Sequence, residues 1–374
     1  MRTPPDRLER LPQQYFASLL ARVAEAAAKP GPPLIDLGRG NPDVPPPPHV
    51  AERLAAAAAS RESKTHGYAP FSGLLPLKQA VADRYRSVYG VELDPEREVA
   101  VVPGTKTALV EVALCTAEHG DTIVLPDPGY PDYLSAAALA GARVARLPIE
   151  PRPDFSAARE AAALYLNYPS NPAALAAPDG VFADAVSYAE RTGTLVLHDF
   201  AYGDLVFGGR AAASFLAQPG AREVGAELFS MSKSYGMAGW RLGFVVGNAE
   251  LVRRLELLND HVRAGIFAPL QEAAIAALTG PQETVEERRA LYESRRDRVL
   301  AALPQARSEG TFFAWLRLPD GVTVDRILDE TRVALAPGEG FGPAGAGCAR
   351  ISLAVMDEAL DQGLARLRGP LAHG

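Results

Sequence analysis

The chain has 374 residues, of which 48% are hydrophobic and 22% charged, with 38 Lys and Arg against 45 Asp and Glu and a formal net charge of −7. A chain of this size and composition buries more than one ordinary core supports, so two lobes are expected and a disordered or fibrous architecture is excluded. The acidic balance, with no basic tract, argues against a nucleic-acid partner held through phosphates and favours a small molecule.

The first residues, MRTPPDRLERLPQQYF, lack the apolar core and small-residue cleavage site of a leader, and the alanine-rich stretch at 54–59 is far shorter than the ~20 residues that span a bilayer. No membrane partner is expected. NPDVPPPPHV (41–50) reads as a connector between lobes, because proline lacks a donor and biases its predecessor to extended geometry. Short β-branched runs then alternate with helical patterns: Val99–Val102, Thr122–Leu125, Arg143–Leu147, Leu164–Asn167, Thr194–His198, Leu228–Ser230 and Leu242–Val246, with helices expected near 74–89, 106–117, 132–140, 180–191 and 249–260. This is α/β grammar, with most strands parallel and helices on both faces. The last run follows its predecessor too closely for a helical crossover and is expected to enter antiparallel. After about residue 270 the pattern changes to helices near 269–279 and 284–303, strands at 312–318, 333–336 and 350–354, a helix near 323–331 and a terminal helix, which reads as a second, α+β lobe. Cys115 and Cys348 form neither a disulfide framework nor a metal motif, so a reducing cytoplasm is expected and no metal site.

The strongest chemical signal is Ser230-Met231-Ser232-Lys233-Ser234-Tyr235-Gly236-Met237-Ala238-Gly239-Trp240-Arg241, where an apolar strand ends in a small-residue loop. A Lys after Ser is more often a solvated surface residue. Here small neighbours leave room for a planar ligand, Arg241 offers a permanent cation for a phosphate, and desolvation beside that cation lowers the lysine pKa as an imine-forming amine requires. Asp199 ends the run Thr194–His198 at the carboxyl edge of the sheet, where open α/β sheets bind ligands; it is either a helix cap or the anion for a protonated pyridine nitrogen. Tyr202 and Asn171 offer donors to a ring phenolate, though a Tyr at that spacing also packs in cores and Asn-Pro is a turn signal. Pro103-Gly104-Thr105-Lys106 joins a strand to a helix start, a candidate anion cradle or a plain turn. Tyr130 belongs to a tight turn unless it lies on a ring, and Arg350, lone on an apolar strand, is an edge or interface residue or a bidentate carboxylate clamp.

In this order, these segments resemble the class I/II aminotransferases of fold type I over about residues 11–367, nearest the LL-diaminopimelate, methionine/glutamine and alanine-type subgroup through LPQQYFASL, DLGRGNPD, DPGYPDY, HDFAYG and MSKSYGMAGWRLGF. The resemblance implies a large domain with a mainly parallel seven-stranded sheet flanked by helices plus a smaller α+β domain: 1–42 an N-terminal arm and part of the small domain, 43–270 the large cofactor-binding domain, 271–374 the small C-terminal domain. It implies pyridoxal 5'-phosphate as cofactor, with Lys233 forming the Schiff base and shuttling the proton, Asp199 at the pyridine nitrogen, Tyr202 and Asn171 at the phenolate, and Tyr130 stacked on the ring. Gly104, Thr105, Lys106 through its backbone, Ser230 and Arg241 match the phosphate cup, and Tyr68 matches the tyrosine that reaches the neighbouring subunit's phosphate, which implies a homodimer with shared sites. Gly40, Asn171 and Arg350 match the substrate positions. The reaction implied is ping-pong transfer of an amino group from an L-amino acid to a 2-oxo acid.

Two departures stand out. Asn171-Pro172-Ala173-Ala174 replaces the family's Asn-Pro-Thr-Gly, and the stretch between Ile149 and Leu164 is shorter than usual. Decarboxylation, β-elimination or cyclisation on the same scaffold is the nearest rival reaction; a cofactor-binding regulatory protein is a more distant one, since no basic module appears. A second substrate carboxylate needs a further cation, for which Arg39 and Arg263 are candidates that the sequence does not place.

Overall fold

The computed structural model of the protein describes residues 4–156 and 160–371. Seven strands build the main sheet: β1 (Val99–Val102), β2 (Thr122–Asp127), β3 (Arg143–Pro148), β4 (Ala163–Asn167), β5 (Leu195–Asp199), β6 (Gly225–Ser230) and β7 (Gly243–Gly247). Their order is β1-β7-β6-β5-β4-β2-β3, parallel throughout except for β7, which runs against both β1 and β6 as the short preceding loop requires. Strands β1, β4 and β6 are buried along their whole length, the reading of a sheet covered on both faces, whereas β3 lies at one edge and carries Arg143 and Arg146 there.

One face is covered by the helices Thr105–Thr116, Asp132–Ala140 and Ala249–Val262, through Leu109, Val112, Tyr133 and Leu255. The other carries Leu75–Arg84, Val181–Thr192 and Ala268–Thr279, through Leu77, Val186 and Ala274. The helix expected over 74–89 changes pitch at its end, where Tyr85–Tyr89 forms a π turn that sets the two tyrosine rings edge to face, 5.2 Å apart, against Phe229 and Phe200. The reading of 41–50 as wholly non-helical fails at its end: Pro48 opens the helix Pro48–Ala58, since at the first helical position its missing N–H costs nothing and its fixed φ suits the turn.

The second body is a four-stranded antiparallel sheet of β8 (Ala306–Arg307), β9 (Phe313–Arg317), β10 (Ala336–Pro337) and β11 (Cys348–Ser352), in the order β10-β11-β9-β8. The helices Glu283–Ala302 and Asp357–Leu371 supply its core through Val299, Leu360, Leu364 and Leu367. The N-terminal chain joins it by pairing Ile35–Asp36 in parallel with Val333–Ala334. The connector at 41–47 is held between bodies by Arg288, which donates to the Val44 and Pro45 carbonyls at 2.9 and 3.0 Å, and by Arg295, 2.7 Å from Asp43 Oδ2.

The residue standing in the place of the missing turn glycine keeps a glycine's conformation: Ala174 has φ 54° and is fully buried, its amide donating to the Ser170 carbonyl at 2.9 Å. A left-handed conformation costs an L residue about 1–2 kcal/mol, offset in part by the larger backbone entropy glycine loses on folding. Ala174→Gly is therefore expected to stabilise the protein by up to about 1 kcal/mol, read as a higher urea midpoint at unchanged slope; a lower midpoint would show that the buried methyl outweighs the strain. The shortened segment between Ile149 and Leu164 contains residues 157–159, which lie outside the described residues.

Candidate active site

The parallel strands deliver their carboxyl ends to one side of the sheet. Register sets Asn167 of β4 beside Asp199 of β5, and Ser230 of β6 opposite Gly243 of β7. Against these ends lie Arg350, from the centre of the small sheet, and the N-terminal helix Tyr15–Ala28. Together they enclose a cavity of about 390 Å³ lined by Gly40, Thr105, Lys106, Tyr130, Asn171, Asp199, Tyr202, Ser230, Lys233, Arg241 and Arg350. Of the site residues that the resemblance implies, only Gly104 and Tyr68 do not line it.

Lys233 is half-buried in the cavity wall, its Nζ 5.1 Å from the centre of the Phe312 ring and 5.8 Å from that of Tyr202. Burial, with the charges of Arg241 and Arg350, lowers its pKa from 10.5 to about 8, against the opposing pull of Asp199. Such an amine is partly neutral near pH 8 and can act as a nucleophile. Asp199 is driven the other way, its carboxyl raised by burial. What holds its charge is a short list: Tyr133 Oη donates to Oδ2 at 2.8 Å, the Ala201 amide to Oδ1 at 3.2 Å, and His198 and Lys233 add positive potential. The capping role is thus present in part, as a turn onto Ala201, beside an anion placed in the cavity.

At the other end of the cavity, Gly104 (φ 83°) precedes the helix Thr105–Thr116, whose first amides face outward. A Cβ on Gly104 would lie 2.4 Å from Arg241 Nη2, so only glycine lets the guanidinium close over the helix start. Arg241 is fixed in turn by a left-handed backbone (φ 58°) and by Nη1 donating to the Ala238 carbonyl at 2.8 Å. An amide row, a hydroxyl at Ser230 and a guanidinium form a cradle for a dianion. The side chain of Lys106 turns elsewhere, its Nζ 2.9 Å from Asp132 Oδ2. A planar aldehyde bearing a ring nitrogen and a phosphate fits this set: amine at the centre, carboxylate at one end, anion cradle at the other.

Arg350 is 1% exposed and lies on an inner strand, so the edge reading fails. Its Nη1 donates to Asn171 Oδ1 at 2.7 Å and Nη2 to the Gly38 carbonyl at 3.2 Å, while its Nε is buried without a partner. Burial lowers its pKa to about 10, which leaves it charged at neutral pH. The Phe313 ring lies 3.9 Å from its Cζ, with Phe341 and Phe16 at 4.8 and 5.6 Å. Gly40 makes room here, since a Cβ on it would lie 2.6 Å from Phe313 Cζ and 3.4 Å from Arg350 Nη2. A desolvated guanidinium with a free donor in an aromatic cage is a carboxylate receptor.

Sequence reasoning missed Tyr133, Asn167 and Phe16. Asn167 accepts the Asn171 amide at 2.7 Å and donates to the Asp199 carbonyl at 2.8 Å, tying two site loops together. Phe16 roofs the cavity beside Tyr130, with ring centres 5.8 Å apart. Arg39 lines the cavity mouth, whereas Arg263 does not and instead donates to the Val101 carbonyl at 2.9 Å.

Known proteins resemble the chain over nearly its whole length. The family model described as Aminotransferase class I and II matches residues 32–367. The chain is 42% identical to the L-glutamine–4-(methylsulfanyl)-2-oxobutanoate aminotransferase of Bacillus subtilis, over 96% of this chain and 94% of that protein. It is 38% identical to the LL-diaminopimelate aminotransferase of Moorella thermoacetica, over 97% of each. The solved structure of substrate-bound BacF from Bacillus subtilis superposes with a TM-score of 0.92 at 35% identity, covering 98% of both chains.

Proposed function

The chain belongs to the class I and II aminotransferase family and is a transaminase, and from that premise we propose that it works through pyridoxal 5'-phosphate held on Lys233, in a ping-pong exchange between an L-amino acid and a 2-oxo acid. The observation that carries this reading is the half-buried amine of Lys233, its pKa lowered to about 8, set in one cavity with an acid and an anion cradle. When bound, the coenzyme supplies an electron sink for the pair left behind when the bond to the α-hydrogen breaks.

Every other task falls to side chains. Arg241, Ser230, Gly104, Thr105 and the Lys106 backbone hold the phosphate; Asp199 holds the ring nitrogen, and Tyr202 and Asn171 hold the phenolate oxygen. Asn171 Oδ1 is taken by Arg350, which leaves its Nδ2 as the donor. Tyr130 and the roof from Phe16 keep water off the reacting face. Lys233 Nζ, the base at the centre, would carry the α-proton of the donor to the coenzyme carbon that takes the amino group and, in the other half-reaction, carry a proton from that carbon to the α-carbon of the acceptor. The carboxylate of each substrate is clamped by Arg350, which makes loss of that carboxylate the disfavoured path.

Tyr68 is 88% exposed; Phe71, Phe267 and, at the end of the helix Ala249–Val262, Val262 are exposed too, and the loop after that helix packs through Gly265 against Ala69 and Pro70. We assign this surface to a second copy of the chain, so that a homodimer completes each phosphate site. The two unpaired cysteines fit a cytoplasmic enzyme.

The reading is tested by mixing the loaded enzyme with single amino acids. Loss of the coenzyme's visible absorbance with release of one 2-oxo acid supports it; release of carbon dioxide with the absorbance retained would replace it with decarboxylation. Substituting Arg350 by alanine is expected to lower kcat/KM for amino acids by about 10²-fold, the value of two charge-assisted hydrogen bonds, while the corresponding amines lose far less. Equal losses on both would remove the carboxylate from this position.

A further inference from the structure

The cavity holds one cation without a task. Lys233 and Arg241 serve the coenzyme and Arg350 the substrate carboxylate. Lys106 faces Asp132, a carboxylate that is almost fully buried and also accepts from Gln14 Nε2 at 2.7 Å, so its ammonium is already matched. Arg39 lines the same cavity, is exposed, and among the described residues no acceptor lies within hydrogen-bond distance of its guanidinium.

Its backbone, by contrast, is fixed. The Arg39 amide donates to Asp36 Oδ1 at 3.2 Å and the Gly38 amide to the same oxygen at 2.9 Å, so the one nearby carboxylate already holds two amides. On either side, the Gly38 carbonyl accepts from Arg350 and Gly40 abuts Phe313 and Arg350. Arg39 thus stands between two residues that touch Arg350 and lines the same cavity, which a substrate held by its α-carboxylate on Arg350 would share with the Arg39 side chain. The opposite wall comes from the helix Tyr15–Ala28, where Phe16, Leu19 and Leu20, spaced i, i+3, i+4, form one apolar face over the cavity. Leu20, 45% exposed, carries that face to the rim.

We propose that Arg39 is the receptor for the distal carboxylate of a dicarboxylic substrate, with Phe16, Leu19 and Leu20 covering its methylene stem. Because the guanidinium is tethered at its root and free at its tip, it swings into solvent when an uncharged side chain occupies the same wall. One site thereby accepts a dicarboxylic 2-oxo acid in one half-reaction and an apolar amino acid in the other. The proposal rests on the transaminase reading above and adds the substrate class.

The test compares 2-oxoglutarate with 2-oxopentanoate, equal in carbon number and differing in the distal charge, in wild type, Arg39→Gln, Arg39→Lys and Lys106→Met. Arg39→Gln is expected to lower the preference for the dicarboxylate, as a ratio of kcat/KM values, by about tenfold, with the change in KM and a partial return in Arg39→Lys. Calorimetric titration of the loaded enzyme with glutarate against pentanoate should show the same loss of preference without turnover. An unchanged ratio in Arg39→Gln, or a selective loss in Lys106→Met alone, overturns the assignment. Failure of the transaminase reading is seen separately, since wild type would then aminate neither acid.

Discussion

Replacing Lys233 by alanine is expected to lower turnover by about 10⁴-fold, the upper range for loss of a positioned general acid–base, and to abolish covalent capture of the coenzyme. Both consequences come from one atom. Of the two lysines lining the cavity, Lys233 shares it with Asp199, Tyr202 and Arg241 and pairs with no carboxylate among the described residues, whereas Lys106 is paired with Asp132. The coenzyme should still bind reversibly to the variant, because Arg241 and the start of the helix Thr105–Thr116 are untouched. The measurement is borohydride reduction of protein mixed with pyridoxal phosphate, followed by peptide mass mapping: wild type gains the adduct on the peptide containing Lys233, and the variant gains none. Capture by wild type also carries a pH signature. Only the neutral amine attacks an aldehyde, and with its pKa lowered to about 8 the neutral fraction grows as pH rises through that value and levels off above it. The rate of capture should follow that curve, well below the pH at which an ordinary lysine would respond. Stoichiometric adduct on another lysine, or a variant with normal turnover, ends the assignment.

How far the site could be read in advance depended on whether its signal was local. Lys233 and Arg241 are eight residues apart on one loop among small side chains, and Asp199 ends an apolar strand, so each announced itself. The sheet was legible for the same reason: β1 is a continuous apolar run, and β4 is one up to its terminal Asn167. Tyr133 carries no such mark, because its partner Asp199 is 66 residues away and only the packing of the helix Asp132–Ala140 on the sheet brings them together. The roof helix Tyr15–Ala28 was unread because its cap is Gln14, whose side chain accepts the Phe16 amide, and not one of the short residues that signal a helix start. Pro48 was misread because proline is judged by what it forbids inside a helix and not by what it permits at the first position. Arg39 stayed unplaced because the Asp36 turn that aims it is a side-chain contact with backbone amides, which spacing does not encode. Ala174 shows the converse: the turn outlived the glycine that usually makes it, because the surrounding hydrogen bonds hold the loop.

For Asp199→Ala the expected loss is about 10³-fold in kcat, comparable to removing a preorganised charge from an active site, with the coenzyme still captured by Lys233. The argument turns on what the carboxylate costs the protein before any ligand arrives. Asp199 is fully enclosed, and burial raises its pKa in spite of the hydrogen bonds from Tyr133 and Ala201. A carboxyl whose folded pKa is raised above its unfolded value contributes stability that is present at low pH and is lost as pH climbs from the unfolded pKa to the folded one. Coenzyme-free wild type should therefore lose stability as pH rises above the ordinary carboxylate range, and Asp199→Asn should lack that slope. On the proposed reading that cost is offset when the coenzyme is bound, since the carboxylate would then face a positive ring nitrogen. The amide introduced by Asp199→Asn retains the shape and can still accept from Tyr133, yet it presents a donor where an anion is needed, so activity should fall at least as far as in the alanine variant. Thermal melts of the coenzyme-free proteins across pH, set beside kcat of the loaded ones, separate the two roles. Full activity in Asp199→Asn would mean that shape alone suffices at this position, and the electrostatic account of the site would have to be abandoned.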